Sequence, residues 1–184
     1  RNGTFTEEAM LRGVGLTGMA ATAANMGIAC GDVNGDGLLD LFVTHLGEQF
    51  HTLWQQGPVG FFRDETVNGG LTTSRWRGTG FGAVFCDFNR DGLLDLAFVN
   101  GRVAKRTASS AESPSNQFWN PFYDRNQVFA GGAGGRFRDL SLDNPALCRP
   151  SVVARGLALG DIDNDGNTEL IVDDNTTQGG LGKY

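Results

Sequence analysis

Three copies of one acidic loop constrain the fold of this chain more than any other feature. "GDVNGDGLLDLFV" (31–43) returns as "CDFNRDGLLDLAFV" (86–99) and again as "GDIDNDGNTELIV" (160–172). Counting from the first Asp, each copy carries oxygen-bearing side chains at positions 1, 3, 5 and 9 and a glycine at position 6. The first copy has Asp32, Asn34, Asp36, Gly37 and Asp40. The second has Asp87, Asn89, Asp91, Gly92 and Asp95, and the third Asp161, Asp163, Asp165, Gly166 and Glu169. Like charges this close repel, yet an apolar, strand-like run follows each loop directly. Something must offset the repulsion.

A hard cation does so. Ca²⁺ takes about 6–8 oxygen ligands at ~2.3–2.6 Å. A tight loop turns alternate side chains inward, so positions 1, 3 and 5 converge, and the glycine allows the positive-φ turn that keeps the chain wrapped. The backbone carbonyl at position 7 (Leu38, Leu93, Asn167) faces the same point, and the acid at position 9 closes the site from the next strand. One Ca²⁺ per loop makes three ions, whose +6 would cancel the formal net charge of −6. An EF-hand is disfavoured, because position 12 is Val43, Phe98 or Val172 rather than an acid and strands flank the loop. Mg²⁺ rarely accepts an all-protein cage, and zinc calls for Cys or His ligands. The competing reading is a hairpin rich in Asx turns that binds no ion.

The repetition extends past the loops. Gly27, Gly82 and Gly156 each stand five residues before a loop's first Asp, separated from it by small and apolar residues. A second signature also recurs, as "GTFTE" (3–7), "GFFRD" (60–64) and "GRFRD" (135–139), and its last residue precedes the next loop by 25, 23 and 22 residues. One strand enters the acidic loop and a second leaves it. A third lies near "HTLWQQ" or "NQVFAGG", and "GFFRD" is the fourth. Four short strands in a repeat of ~50 residues predict all-β propeller blades with calcium-binding hairpin loops, against the alternative of a β-sandwich or stacked sheets. The whole of 1–184 reads as one repeat region with units of about 1–59, 60–134 and 135–184. Three loops do not close a propeller, so a partial propeller or open repeat array is expected, as part of a larger chain. About 20 residues inserted at 101–120, Ser-rich and tipped by Phe118 and Trp119, read as a long surface loop and an interface anchor.

Composition narrows the partners. Glycine makes up 28 of 184 residues, about double the usual ~7%, with no collagen period. The acidic balance argues against nucleic acid, and no segment reaches the ~20 apolar residues of a membrane span. The start at Arg1 without Met suggests a mature or excised piece. Cys30, Cys86 and Cys148 fit no zinc spacing, and Cys30 and Cys86 are expected to be inert core residues.

These loops resemble the FG-GAP/VCBS repeats of the integrin α-subunit head and of many secreted bacterial proteins. "GFGAVFCDFNRDGLLDLAFVNG" (80–101) carries the Phe-Gly step at Phe81 and Gly82, and "RNGTFTE" is similar to the segments between loops in that family. The "GAP" part is missing, with Val99, Asn100 and Gly101 in its place. The resemblance implies a propeller with Ca²⁺ in its hairpin loops and an extracellular role in binding or adhesion.

Candidate catalytic groups are few. His45 aligns with Asn100 and Asp174, and His51 with Asn126, at positions read as turns or strand edges. No nucleophile elbow, P-loop or dinucleotide fingerprint is present. Trp54 and Phe129 read as core. Trp76, between Arg75 and Arg77, reads as an inter-blade aromatic or a stacking surface, and Asn2 and Asn175 lie in glycosylation sequons. The expectation is a secreted, cell-surface or periplasmic calcium-binding module for adhesion or assembly. Its partner would be a protein or glycan surface, or copies of itself. The alternatives are part of a propeller enzyme acting on polysaccharide and a structural subunit of an extracellular filament or surface layer.

Overall fold

The architecture is seen in a computed structural model, which describes residues 3–74, 76–103, 120–175 and 180–183. Most of the 101–120 insertion, including Phe118 and Trp119, lies outside the described residues, as do Asn2 and Arg75. Two four-stranded antiparallel sheets carry the first two acidic loops. The first sheet runs β1 (Ile28–Gly31), β2 (Asp40–Val43), β3 (Thr52–Gly57) and β4 (Phe61–Asp64) in sequential order. The second joins β5 (Gly80–Cys86), β6 (Asp95–Asn100), β8 (Gln127–Gly132) and β9 (Arg136–Asp139). A small ribbon pairs β7 (Asp124–Arg125) with β10 (Ser151–Val152). The third sheet contains β11 (Ala154–Gly160), β12 (Glu169–Asp174) and β13 (Gly180–Lys183). The fold is all-β, a partial propeller of meander blades, and the "GFFRD" segment closes the blade as its fourth strand.

The registers repeat with the sequence. Gly31 pairs with Asp40, Cys86 with Asp95 and Gly160 with Glu169, so every acidic loop is the hairpin between a blade's first two strands. Trp54 and Phe129 hold the same register position opposite Leu41 and Leu96, and both are buried.

Blade faces stack on one another, which explains the unbroken apolar runs after the loops. β6 is buried along its whole length. Its Leu96 and Phe98 face the first blade with Phe42, Leu53 and Phe129, whereas Ala97 and Val99 face the third with Val128, Val152 and Val172. A strand covered on both faces has no polar side to alternate with. Phe98 lies 5.3 Å from Phe42 and 5.8 Å from Phe129 between ring centroids.

Blade-to-blade contact runs through the first strands, with β5 packed against β1 on one side and β11 on the other. That proximity accounts for the recurring glycine. A Cβ on Gly27 would collide with the Phe81 carbonyl, and one on Gly82 would sit 2.6 Å from the Leu157 backbone nitrogen. The Phe81 ring of the Phe-Gly step supports the Arg155 guanidinium of the next blade, 3.9 Å from the centroid.

One sequence expectation is corrected here. Cys30 is exposed, because alternate β1 residues face opposite ways and Ala29 takes the core side. The two histidines lie in the β2–β3 connection, as expected of turn or strand-edge positions, and both pack inward. His45 is buried at 2% exposure, and the His51 ring packs edge-on against Phe98 at 4.8 Å. Cys148 is buried, and burial pushes its thiol up to about 12, which leaves it unreactive.

Candidate metal centres

Each acidic loop is folded by its own side chains. Asp32 Oδ1 accepts hydrogen bonds from the backbone N–H groups of Gly35 and Asp36, and its Oδ2 accepts from Gly37. Asp87 does the same for Asp91 and Gly92, and Asp161 for Asp165 and Gly166. The position-5 acids Asp36, Asp91 and Asp165 accept from the N–H of position 7. The position-6 glycines have φ of 83°, 85° and 85°, as the motif requires. Position 4 also adopts positive φ, at Gly35 (78°), Arg90 (61°) and Asn164 (59°). The left-handed residues at positions 4 and 6, on either side of the position-5 acid, curl the backbone around the carboxylates.

The position-9 acid holds the loop to the sheet. Asp40, Asp95 and Glu169 are buried, at 0%, 3% and 8% exposure. One oxygen of each accepts the N–H of position 2: Val33 at 3.1 Å, Phe88 at 3.0 Å and Ile162 at 2.8 Å. In the first two loops the other oxygen reaches the third strand, at Gln56 N–H (2.9 Å) and Gly131 N–H (2.8 Å). Burial pushes the Asp40 carboxyl up. The two N–H bonds oppose that shift, while Asp36 and Asp32 add to it.

The loops differ in how far their acids gather. In the third, Asp161, Asp163, Asp165 and Glu169 each offer an oxygen within 4.8 Å of the others. In the first two, the position-3 amide nitrogen donates to the position-5 acid, from Asn34 to Asp36 at 3.0 Å and from Asn89 to Asp91 at 2.9 Å. A side-chain donor thus takes up part of the acidic charge there, whereas position 3 of the third loop is itself a carboxylate. Four carboxylate oxygens at that spacing suit a hard divalent cation. Arg90 of the second loop crosses to the third and donates to the Gly166 carbonyl at 2.8 Å and to Asn167 Oδ1 at 2.5 Å, linking adjacent loops.

Residues 32–98, from the first acidic loop to the strand leaving the second, match the family model of the FG-GAP-like repeat. This segment is an FG-GAP-like repeat. No curated protein matches the chain. The matched FG-GAP-like segment spans one loop-to-loop period, and the third loop, outside it, repeats its register and hydrogen bonds.

At the other end of the first two blades a second equivalence appears. His45 N–H donates to His51 Nδ1 at 3.0 Å, just as Asn100 N–H donates to Asn126 Oδ1 at 3.0 Å. An accepting Nδ1 requires neutral His51 with its hydrogen on Nε2. Burial pushes His51 down to about 3, and His45 and Arg77 add to the shift. His45, between Ala24 O and Thr52 Oγ1, is lowered by burial too.

The sign follows. Between pH ~6.5 and ~3 the unfolded chain takes up a proton that folded His51 refuses, so stability is full above pH ~6.5 and falls as the pH drops through that window. The loss for His51 is at most ~1.4 kcal/mol per pH unit. Urea unfolding at pH 7.5 and 5.0 should therefore differ by roughly 2 kcal/mol from this residue alone. His51→Asn copies Asn126 and should keep the fold while removing that part of the pH slope. An unchanged slope in the variant would contradict the assignment.

Proposed function

We propose that this chain is a calcium-stabilised propeller module that serves extracellular binding, adhesion or assembly, with one Ca²⁺ held by each acidic loop. The observation that carries the reading is the gathering of the Asp161, Asp163, Asp165 and Glu169 oxygens on a loop type that recurs at Asp32 and Asp87. Asp32, Asn34, Asp36, the Leu38 carbonyl and Asp40 would hold the first ion. Asp87, Asn89, Asp91, the Leu93 carbonyl and Asp95 would hold the second, and Asp161, Asp163, Asp165, the Asn167 carbonyl and Glu169 the third. The hydrogen bonds from backbone to Asp32, Asp87 and Asp161 support it, because they shape the loop and leave lone pairs for a cation. The ion's work is structural: it neutralises acids that otherwise repel and ties each hairpin to its blade. The module would act on a protein or glycan surface, or on copies of itself, outside the cell.

Calorimetric titration of the EDTA-treated chain tests this. Saturable Ca²⁺ binding is expected in the range of extracellular modules, about 10⁻⁴–10⁻³ M, with Mg²⁺ competing poorly. No Ca²⁺ heat at millimolar concentrations would remove the reading.

The third loop should bind most tightly, because it offers four carboxylates against three in each of the others, although Arg90 beside Gly166 opposes a cation there. Asp163→Asn should weaken that site several-fold, towards the other two. Site-resolved titration by NMR checks the ranking, and a third site weakest in the parent chain would mean that loop geometry and Arg90 outweigh ligand charge.

A further inference from the structure

The end of the first blade opposite the acidic loop carries a cleft of different chemistry. The β2–β3 connection supplies Gly47, Phe50 and His51, and the crossing to the second blade supplies Thr72, Ser74, Trp76 and Arg77. An open groove of about 490 Å³ lies between them. It leads to a recess with about 10 Å³ of free space, walled by Phe42, Phe98 and Phe129, which is room for a single oxygen-sized group.

Among the described residues, two buried donors at this cleft have no acceptor, His51 Nε2 and Trp76 Nε1. The His45 N–H occupies His51 Nδ1, so Nε2 carries the hydrogen, and an indole nitrogen only donates. Gln127 Oε1 accepts from Asn100, while Gln127 Nε2 donates to Ser74 Oγ and to the Trp76 carbonyl. Arg77, an exposed cation, lies over the Phe50 ring at 4.3 Å from its centroid, at the mouth. Native structures rarely leave buried donors unpaired, and such groups mark places where an outside acceptor completes the bonding.

We propose that this cleft binds a carboxylate group, with one oxygen in the recess toward the two ring N–H donors and the charge met by Arg77. A carboxylate fits on three counts. It only accepts hydrogen bonds, as the two donors require. Its negative charge is met by the Arg77 guanidinium. It is flat, which suits a narrow recess between aromatic walls. The carboxylate can belong to an acidic peptide side chain or to a free organic acid, and the groove outside the recess has room for the body of either. This site does not depend on calcium in the loops.

Two-dimensional NMR of the full ¹⁵N-labelled chain tests the proposal, with the Trp76 indole N–H resonance assigned by its loss in Trp76→Phe. The probes are acetate, the peptide Ac-Gly-Asp-Gly-NH₂ and its neutral counterpart Ac-Gly-Asn-Gly-NH₂, all at constant ionic strength. A saturable shift of the indole resonance with both carboxylates and not with the Asn peptide is expected. The Asp peptide binding at least tenfold tighter than acetate points to a protein partner, and equal affinity points to a free acid. Arg77→Gln, at an exposed position, should weaken binding at least fivefold while leaving the spectrum of the blade unchanged. No saturable indole shift with either carboxylate at tens of millimolar, or an equal shift with the Asn peptide, overturns the proposal.

Discussion

Removing calcium should lower the melting temperature of this chain by roughly 10–30 °C. A ligand that binds only the folded state stabilises it by RT ln(1 + [L]/Kd), about 1.4 kcal/mol at a tenfold excess over Kd and about 2.7 kcal/mol at a hundredfold excess. Millimolar calcium spans that range for the affinities of extracellular modules. Three independent sites then contribute about 4–8 kcal/mol, and each kcal/mol moves the melting temperature of a chain this size by roughly 2–4 °C. Thermal unfolding in 10 mM CaCl₂ and in EDTA is the comparison. Magnesium at the same concentration should restore little of the difference. Superimposable curves would mean that the hydrogen bonds of the acidic residues hold the loops without an ion.

The second large effect concerns contact between blades. Gly82→Ala should destabilise the fold by roughly 2–3 kcal/mol, because the new methyl would lie 2.6 Å from the Leu157 nitrogen and 2.9 Å from its Cβ. Gly27→Ala should cost at least as much, since its Cβ would overlap the Phe81 carbonyl oxygen and lie 2.7 Å from the carbonyl carbon. Neither clash is with the movable end of a side chain, so one first strand must shift away from its neighbour. Gly156 is the internal control. Among the described residues a Cβ there meets only Asp173 of its own sheet, at 3.2 Å, and Gly156→Ala should cost less than about 1 kcal/mol. Denaturant unfolding of the three variants decides the matter. Three equal losses would show that the glycines serve local backbone needs and not the approach of blades.

These glycines also show what the sequence could and could not disclose. Their fixed offset from the loops was visible as a pattern, but its cause, one blade's first strand pressed on the next, is a long-range fact. The acidic loops were legible because their oxygen-bearing side chains, turns and exit strands lie within a dozen residues. Position 9 was legible only in part. Its acid reads as a ligand, yet Asp40 and Asp95 also accept N–H groups from the third strand at Gln56 and Gly131, beyond local pattern. Likewise, "FRD" is followed by Glu65-Thr66 and Leu140-Ser141, whose hydroxyl oxygens accept the Leu53 and Val128 N–H groups. An Asp-x-Thr/Ser signal was present in the text and its partner strand was not. The histidines were legible as turn or strand-edge residues, and the alignment of His45 with Asn100 and His51 with Asn126 already held the shared hydrogen bond, but their burial depends on the neighbouring blade. The proposed carboxylate cleft joins the β2–β3 connection to the crossing after the first blade, and only folding brings Phe98 and Phe129 of the second blade to its recess.

The central claim is that each acidic loop holds one calcium ion, and the most direct measurement is a count of ions per chain. Native mass spectrometry of the chain equilibrated in calcium acetate should give a species carrying three Ca²⁺. Asp32→Ala, Asp87→Ala and Asp161→Ala should each remove one ion while the other two remain. A parent chain that carries no calcium, or a count that none of the three substitutions lowers, would contradict the account.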